Sequence, residues 1–277
     1  MTRFRWLLLV IVVAGLALLG RAYATAVADP VVRRAQIALP GYPAMAQPIT
    51  TALISDIHVA GPDMPPERLA RIVTQLNALK PDMVVIAGDF VSDKRVATRI
   101  YSFTEAVAPL AQLRPRMGSF AVLGNHDFWR NEAEARKSLS AVDVHVLDND
   151  AIRAGPITLG GLDDAFTGHD DLTTTLTRMR ALGGPSVLLS HSPDPFPDVP
   201  PEVSLMLAGH THCGQIVLPL VGPVATMSRY GTRYACGVIR EYRRTLVVGA
   251  GLGTSVLPLR LGAVPDIWLL TLGPPRR

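Results

Sequence analysis

Five times along this chain an apolar run stops and residues able to bind a metal ion follow at once. The runs are Thr51-Ala52-Leu53-Ile54-Ser55-Asp56-Ile57-His58, Met83-Val84-Val85-Ile86-Ala87-Gly88-Asp89, Ser119-Phe120-Ala121-Val122-Leu123-Gly124-Asn125-His126-Asp127, Ser186-Val187-Leu188-Leu189-Ser190-His191 and Leu205-Met206-Leu207-Ala208-Gly209-His210-Thr211-His212. Apolar runs of this length are consistent with buried strands. Helical patterns fall between them, at residues 67–79, 95–107, 131–139 and 172–182. The third opens on an Asn131/Glu134 capping box. Further strands are expected at residues 144–147, 151–153, 157–162, 236–240, 245–248 and 267–272. Such alternation predicts an α/β fold. Polar residues at the carboxyl ends of several strands predict one shared site there.

The candidates for that site are Asp56, His58, Asp89, Asn125, His126, His191, His210 and His212. Five of the chain's seven histidines are in this set, whereas purely structural histidines would scatter over helix faces and tails. His145 and His169 lie outside it and receive no role. Asp56 and His58, like His210 and His212, stand two apart, which puts both side chains on one face of an extended segment. Neutral imidazole is a common ligand for divalent transition metals. Eight such residues exceed the needs of one ion. Two ions about 3.5–4 Å apart, sharing a carboxylate, would clamp a phosphate and deprotonate an attacking water. The mixed oxygen and nitrogen donors suit Mn, Fe or Zn better than Mg or Ca. Asp127 is expected to orient its neighbour His126 or raise its pKa, which suits protonating or stabilising a leaving oxygen.

Trp6 to Gly20 is an uninterrupted apolar stretch flanked by Arg3, Arg5 and Arg21. It is short of the roughly 20 residues of an ideal span, but the small residues from Ala22 to Ala28 can extend a tilted helix. Residues 1–28 are read as an uncleaved membrane anchor, with a cleaved signal as the alternative. Residues 29–49, with four prolines, are read as a linker holding one short strand at residues 36–39. The catalytic domain then covers residues 50–277. The basic residues on the two sides of the apolar stretch nearly balance, and a signal-type segment places the domain outside the cytoplasm. The net charge of +4, almost all of it from Arg, favours anionic lipid head groups. No basic cluster is dense enough to argue for a nucleic-acid partner. Arg240, Arg243 and Arg244 read as a solvated hairpin. Two cysteines, Cys213 and Cys236, do not make a disulfide scaffold. They can pair in an oxidising compartment, but their spacing alone does not bring them together.

Asp56-Ile57-His58, Gly88-Asp89-Phe90-Val91-Ser92-Asp93, Gly124-Asn125-His126-Asp127, Ser190-His191 and Gly209-His210-Thr211-His212, in this order, resemble the calcineurin-like metallophosphoesterase family. The resemblance runs from about residue 50 to 272. With the N-terminal apolar segment, the Gly-His-Thr-His-x-Gly-Gln form resembles the bacterial membrane-associated branch, which includes phosphodiesterases and UDP-2,3-diacylglucosamine pyrophosphohydrolase-like enzymes. It implies a two-sheet α/β sandwich flanked by helices, at the bacterial cytoplasmic membrane. It also implies roles. Asp56, His58 and His212 would hold the first metal and Asn125, His191 and His210 the second, with Asp89 bridging. His126 would contact the scissile phosphate and leaving group. The reaction implied is hydrolysis of a phosphodiester or pyrophosphate by metal-bound hydroxide, with Mn the first choice of metal and tethering pointing to a lipid-linked substrate. A uridine-nucleotide lipid would require a domain facing the cytoplasm, against the expected topology. Arg260 would bind substrate phosphate. Gly161-Leu162-Asp163-Asp164 would shape the rim of the site. Cys213 stands where the family has a small residue, and a small packed side chain is expected there. The rival readings are a metal-stabilised binding module without catalysis and a protein phosphatase.

Overall fold

The computed structural model describes residues 2–275, so Met1 of the expected anchor and residues 276–277 of the expected domain lie outside the described residues. The helices are α1 (Thr2–Val27), α2 (Pro66–Ala78), α3 (Phe103–Val107), α4 (Asn125–Ser140) and α5 (Leu172–Leu182). The first strands are β1 (Val31–Ala38), β2 (Ile49–Ile54), β3 (Met83–Ala87), β4 (Ser119–Val122), β5 (Val144–Val146), β6 (Asp150–Ala154) and β7 (Ile157–Leu162). They continue with β8 (Ser186–Ser190), β9 (Val203–Ala208), β10 (Val217–Leu218), β11 (Gly222–Pro223), β12 (Gly237–Glu241), β13 (Arg244–Val248) and β14 (Asp266–Gly273).

Two mixed six-stranded sheets form, in the orders β1-β14-β2-β3-β4-β5 and β12-β13-β9-β8-β7-β6. The apolar runs that end in candidate ligands are the central strands of these sheets. Their residues are apolar at nearly every position because both faces are buried. Leu53, Val85, Val187, Leu189, Leu205 and Leu207 meet between the sheets. The alternate residues of β2 and β3, Ala52, Ile54, Val84 and Ile86, pack against Leu69, Ile72 and Val73 of α2. On the far face of the second sheet, Leu188 and Met206 pack against Leu176 and Met179 of α5. Strands β2, β3 and β4 run parallel, as do β8 and β9, so their carboxyl ends gather at one edge.

Three expectations are corrected. Residues 29–49 are not a linker with a strand at residues 36–39, because β1 starts at Val31 and pairs in parallel with β14 along all eight residues. Arg33 is held by Asp266 of β14 at 2.8 Å. No single helix covers residues 95–107. Lys94 is drawn inward to Asp63 at 2.5 Å, and helix α3 starts only at the Ser102/Glu105 capping box. Arg244 is not solvated. It is 8% exposed and donates to the carbonyls of Phe196 and Pro197 at 2.8 and 3.3 Å.

The first helix is long and apolar enough to cross a membrane, with a mean hydropathy of 2.2 over its most apolar window. At 1.5 Å per residue its 26 residues exceed a hydrocarbon core of about 30 Å. Its last turns dock on the domain through buried Ala22 and Ala26. The backbone N–H of Arg260 donates to the Ala22 carbonyl at 2.9 Å, and Arg68 donates to the Ala28 carbonyl at 2.7 Å.

Candidate metal centre

The strand-end residues converge, but not by strand alternation. Strands β2, β3 and β9 end before their candidate ligands. Asp56, His58, Asp89, His210 and His212 all have φ between 48° and 69°. For residues with a Cβ this left-handed conformation costs about 1–3 kcal/mol each. Backbone bonds between loops hold it, from Asp56 N to Gly88 O at 3.0 Å and from His58 N to Asp89 O at 2.9 Å. The carboxylate of Asp56 accepts the N–H of His210 at 3.0 Å. Two glycines make the approach close enough. A Cβ on Gly124 would stand 2.3 Å from Oδ1 of Asp89, and one on Gly209 would stand 2.5 Å from Oδ2 of Asp56.

Because of this twist, His210 and His212 diverge. His212 joins Asp56 and His58 in one group, and His210 joins Asp89 and His191 in another. Oδ2 of Asp89 stands between them, 3.3 Å from Nε2 of His191 and 3.5 Å from Nε2 of His58. Oδ1 of Asn125 lies 3.1 Å from Nε2 of His191.

The donors fit metal ions. Nδ1 of His191 donates to the Ala87 carbonyl at 2.7 Å, and Nε2 of His210 donates to the Met227 carbonyl at 3.1 Å. Each carbonyl can only accept, so in the neutral rings the opposite nitrogens carry lone pairs. Those nitrogens, Nε2 of His191 and Nδ1 of His210, face each other at 3.0 Å. Nε2 of His58 and Nε2 of His212 face each other at the same distance. The lone pairs of the His191–His210 pair are aimed at one point and repel unless a cation or proton lies between them. Backbone carbonyls that fix the tautomer of a ligating histidine are the usual support of a metal site.

Burial sets the protonation of these side chains. It holds His58 and His212 well below the usual histidine range and lowers His210 to about 4. Burial also works against charge on Asp89 and His191, but their mutual attraction outweighs it. Asp89 is therefore held well below the carboxylate range and His191 well above the histidine range. Asp56 is raised to about 6, chiefly by burial. His58, His210 and His212 are thus neutral rings, the form that binds a metal, whereas His191 keeps a proton that a bound ion would displace.

His126 lies at the edge of both groups, its ring 4.7 Å from that of His58 and its side chain 12% exposed. Asp127 does not orient it. The Asp127 carboxylate is fully buried and accepts the backbone N–H groups of Asp89, Phe90 and Gly124, each at 2.9 Å. Burial and the charge of Asp89 raise it to about 7. Instead Asp93, from the opposite loop, lies 2.5 Å from Nδ1 of His126. Nothing in the local spacing marks Asp93 for this.

Arg260 is also corrected. It is fully buried, and its guanidinium donates to the carbonyls of Ala250 and Gly253 at 2.7 and 2.6 Å. Its Nη2 lies 3.2 Å from Nδ1 of His212. It supports that ring from behind and does not face the cleft.

Cys213 is not a lone small residue. It is bonded to Cys236, with the two Cα atoms 4.7 Å apart. The bond closes a 23-residue separation directly after His212, and is expected to stabilise the chain by about 3 kcal/mol. Thermal unfolding of the full chain in detergent, with and without a phosphine reductant, reads this. An unchanged midpoint after complete reduction would contradict it.

In front of the two groups lies a cleft of about 360 Å³. Asp89, Asn125, His126, His210 and His212 line its polar side. Trp129, Phe166, Ile216, Val224, Met227 and Leu257 make its other walls apolar. Phe166 stands two residues after Asp164, whose carboxylate accepts the N–H groups of Phe166 and Thr167 and so fixes this wall of the cleft. Neither aromatic stands out in the sequence.

Residues 49–214 match the family described as calcineurin-like phosphoesterase. A Danio rerio protein described as a transmembrane protein with metallophosphoesterase domain is 31% identical over 283 aligned positions, covering 96% of this chain and 62% of that protein. The metallophosphoesterase YkuE of Bacillus subtilis (strain 168) is 34% identical over 218 positions, covering 74% of this chain and 73% of its own. A Helicobacter pylori (strain J99) metallophosphoesterase is 30% identical over 230 positions, covering 80% and 59%. This chain therefore spans less than two thirds of the Danio rerio and Helicobacter relatives.

Proposed function

The chain belongs to the calcineurin-like phosphoesterase family, and from that premise we propose a membrane-tethered dimetal hydrolase of a phosphodiester or pyrophosphate that carries an apolar group. The observation that carries the reading is the pair of ligand groups, Asp56 with His58 and His212 and Asp89 with His191 and His210, lying beside an apolar-walled cleft with Oδ2 of Asp89 3.5 Å from Nε2 of His58. Asp56, His58 and His212 would hold one ion, and Asn125, His191 and His210 the other, with Asp89 serving both. Mn is the first choice, with Fe and Zn as alternatives. When bound, such ions supply Lewis acidity at the phosphoryl oxygens and lower the pKa of water.

The chain's own residues do the rest. His126, on the cleft side of the metal groups, donates a proton or hydrogen bond to the leaving oxygen. Asp93 keeps its ring turned to that task. The apolar walls, Trp129 and Phe166 above all, hold the apolar part of the substrate and exclude water. A lipid-linked substrate suits both these walls and the helix docked at Arg260. The Cys213–Cys236 disulfide supports a domain outside the cytoplasm, since such bonds persist in oxidising compartments. That placement weighs against a uridine-nucleotide lipid and towards a wall or lipid phosphodiester.

The test is hydrolysis of bis-(p-nitrophenyl) phosphate by the full chain in detergent, after chelation and after adding Mn²⁺ back. Turnover should vanish with the metal and return with it. A chain that binds Mn, Fe or Zn yet turns over nothing would overturn the reading and leave a binding module.

A further inference from the structure

We propose that the two loops rimming the cleft, residues 218–227 and 255–257, dock on the bilayer that holds α1, so that the cleft opens at the lipid surface. The proposal deepens the membrane-tethered reading above and rests on it. Leu220 is fully exposed, Val221 is 77% exposed and Val256 71%. Leu218, Val224, Met227 and Leu257 are also exposed. An apolar surface this continuous is uncommon on a domain that meets only water.

The loops form one surface. Gln215 donates from Nε2 to the Leu257 carbonyl at 3.1 Å and accepts the Ser255 N–H on Oε1 at 3.0 Å. Val217 N donates to Leu261 O at 2.7 Å. The surface is also fixed relative to the membrane helix. Arg260, three residues from Leu257, donates its backbone N–H to Ala22. Ala22 directly follows Arg21, where the uninterrupted apolar stretch of α1 ends. The place where the helix leaves the hydrocarbon is thus one hydrogen bond from the loop that carries Val256 and Leu257. Arg68 on Ala28 holds the following turn, so the domain is pinned at two points.

Charge does not oppose this. Residues 216–233 contain no carboxylate, their two arginines being paired with Asp194 and Glu241, and residues 255–265 contain no carboxylate and only the buried Arg260. Such loops meet an anionic lipid surface without repulsion. Val224, Met227, Val256 and Leu257 face the cleft as well as the rim. A lipid phosphoester lifted from the bilayer would therefore slide along them towards His126, with no apolar surface crossing water.

The full chain carrying Val221→Trp, reconstituted in phosphatidylcholine–phosphatidylglycerol vesicles, tests the docking. The probe is quenching by phosphatidylcholine brominated high on its acyl chains, compared with the wild-type chain. The expected result is additional emission that is blue-shifted and quenched. A water-exposed, unquenched indole would overturn the proposal. So would a blue shift without quenching that disappears on dilution of the protein, because a second copy would then cover the loops. In the same vesicles, L220D/V221D should slow hydrolysis of an embedded phosphodiester and leave bis-(p-nitrophenyl) phosphate turnover unchanged. Quenching is read whether or not phosphate is released. Failure of the wild-type chain on the soluble diester overturns the phosphoesterase reading alone, and absence of quenching overturns the docking alone.

Discussion

Replacing His126 by Ala is expected to lower kcat about 10²- to 10⁴-fold, the usual worth of a positioned proton donor. Bound metal should stay at two ions per chain. His126 also falls with His58 and Asp89 in a group that could hold an ion, so metal content decides its role. Its ring is the part-exposed one, reaching the cleft beside Trp129 at 4.9 Å. Its Nδ1 is engaged by Asp93, which leaves Nε2 for the substrate. If it acts on the leaving oxygen, an activated substrate with a p-nitrophenolate leaving group should lose less than an alkyl phosphodiester, because the better leaving group needs less help. Atomic absorption on the purified variant, alongside kcat for both substrates, reads all three quantities. One ion lost would make His126 a ligand, and an equal loss on both substrates with both ions retained would remove its role as proton donor to the leaving oxygen. Asp93→Asn keeps a hydrogen-bond acceptor at Nδ1 and is expected to lose less than His126→Ala.

The separation of roles between His126 and Asp127 shows where the sequence stops being legible. The two are neighbours in the chain, which invited the idea that one orients the other. At the start of a helix, adjacent side chains point in different directions. Asp127 turns inward to cap the loop N–H groups, and His126 turns towards the cleft. The apolar strands β2, β3, β4, β8 and β9 were legible because burial on both faces leaves a continuous apolar run. Strand β1 was not, because it is an edge strand with Arg33 and Arg34 on it among prolines. The candidate ligands were legible as a set, since each directly follows such a strand. Their division between two groups was not readable from spacing, since the left-handed residues break the alternation that would have put His210 and His212 on one side. Asp93, Arg260 and the Cys213–Cys236 bond depend on contacts across 33, 48 and 23 residues, for which no local pattern exists.

Asp89→Asn is expected to have the larger effect of the two single changes, abolishing turnover by costing the site at least one ion. Asp89 is 2% exposed, and its two oxygens do different work. Oδ1 accepts the His126 N–H at 2.9 Å, and Oδ2 stands between Nε2 of His191 and Nε2 of His58. An amide of the same shape can still accept on the first side, so the loop after β4 should keep its position. On the second side it places an NH₂ donor against two imidazole nitrogens. It would cap the lone pairs that a metal needs and remove the negative charge shared by both groups. Without that charge, two dications less than about 4 Å apart repel with nothing bridging them. Metal content should therefore fall from two ions per chain to one or none, whereas His126→Ala keeps both. Circular dichroism should remain that of the folded chain, which separates loss of metal from loss of fold. Retention of two ions by Asp89→Asn, at unchanged affinity, would remove the bridging role and with it the reason for treating the two groups as one centre.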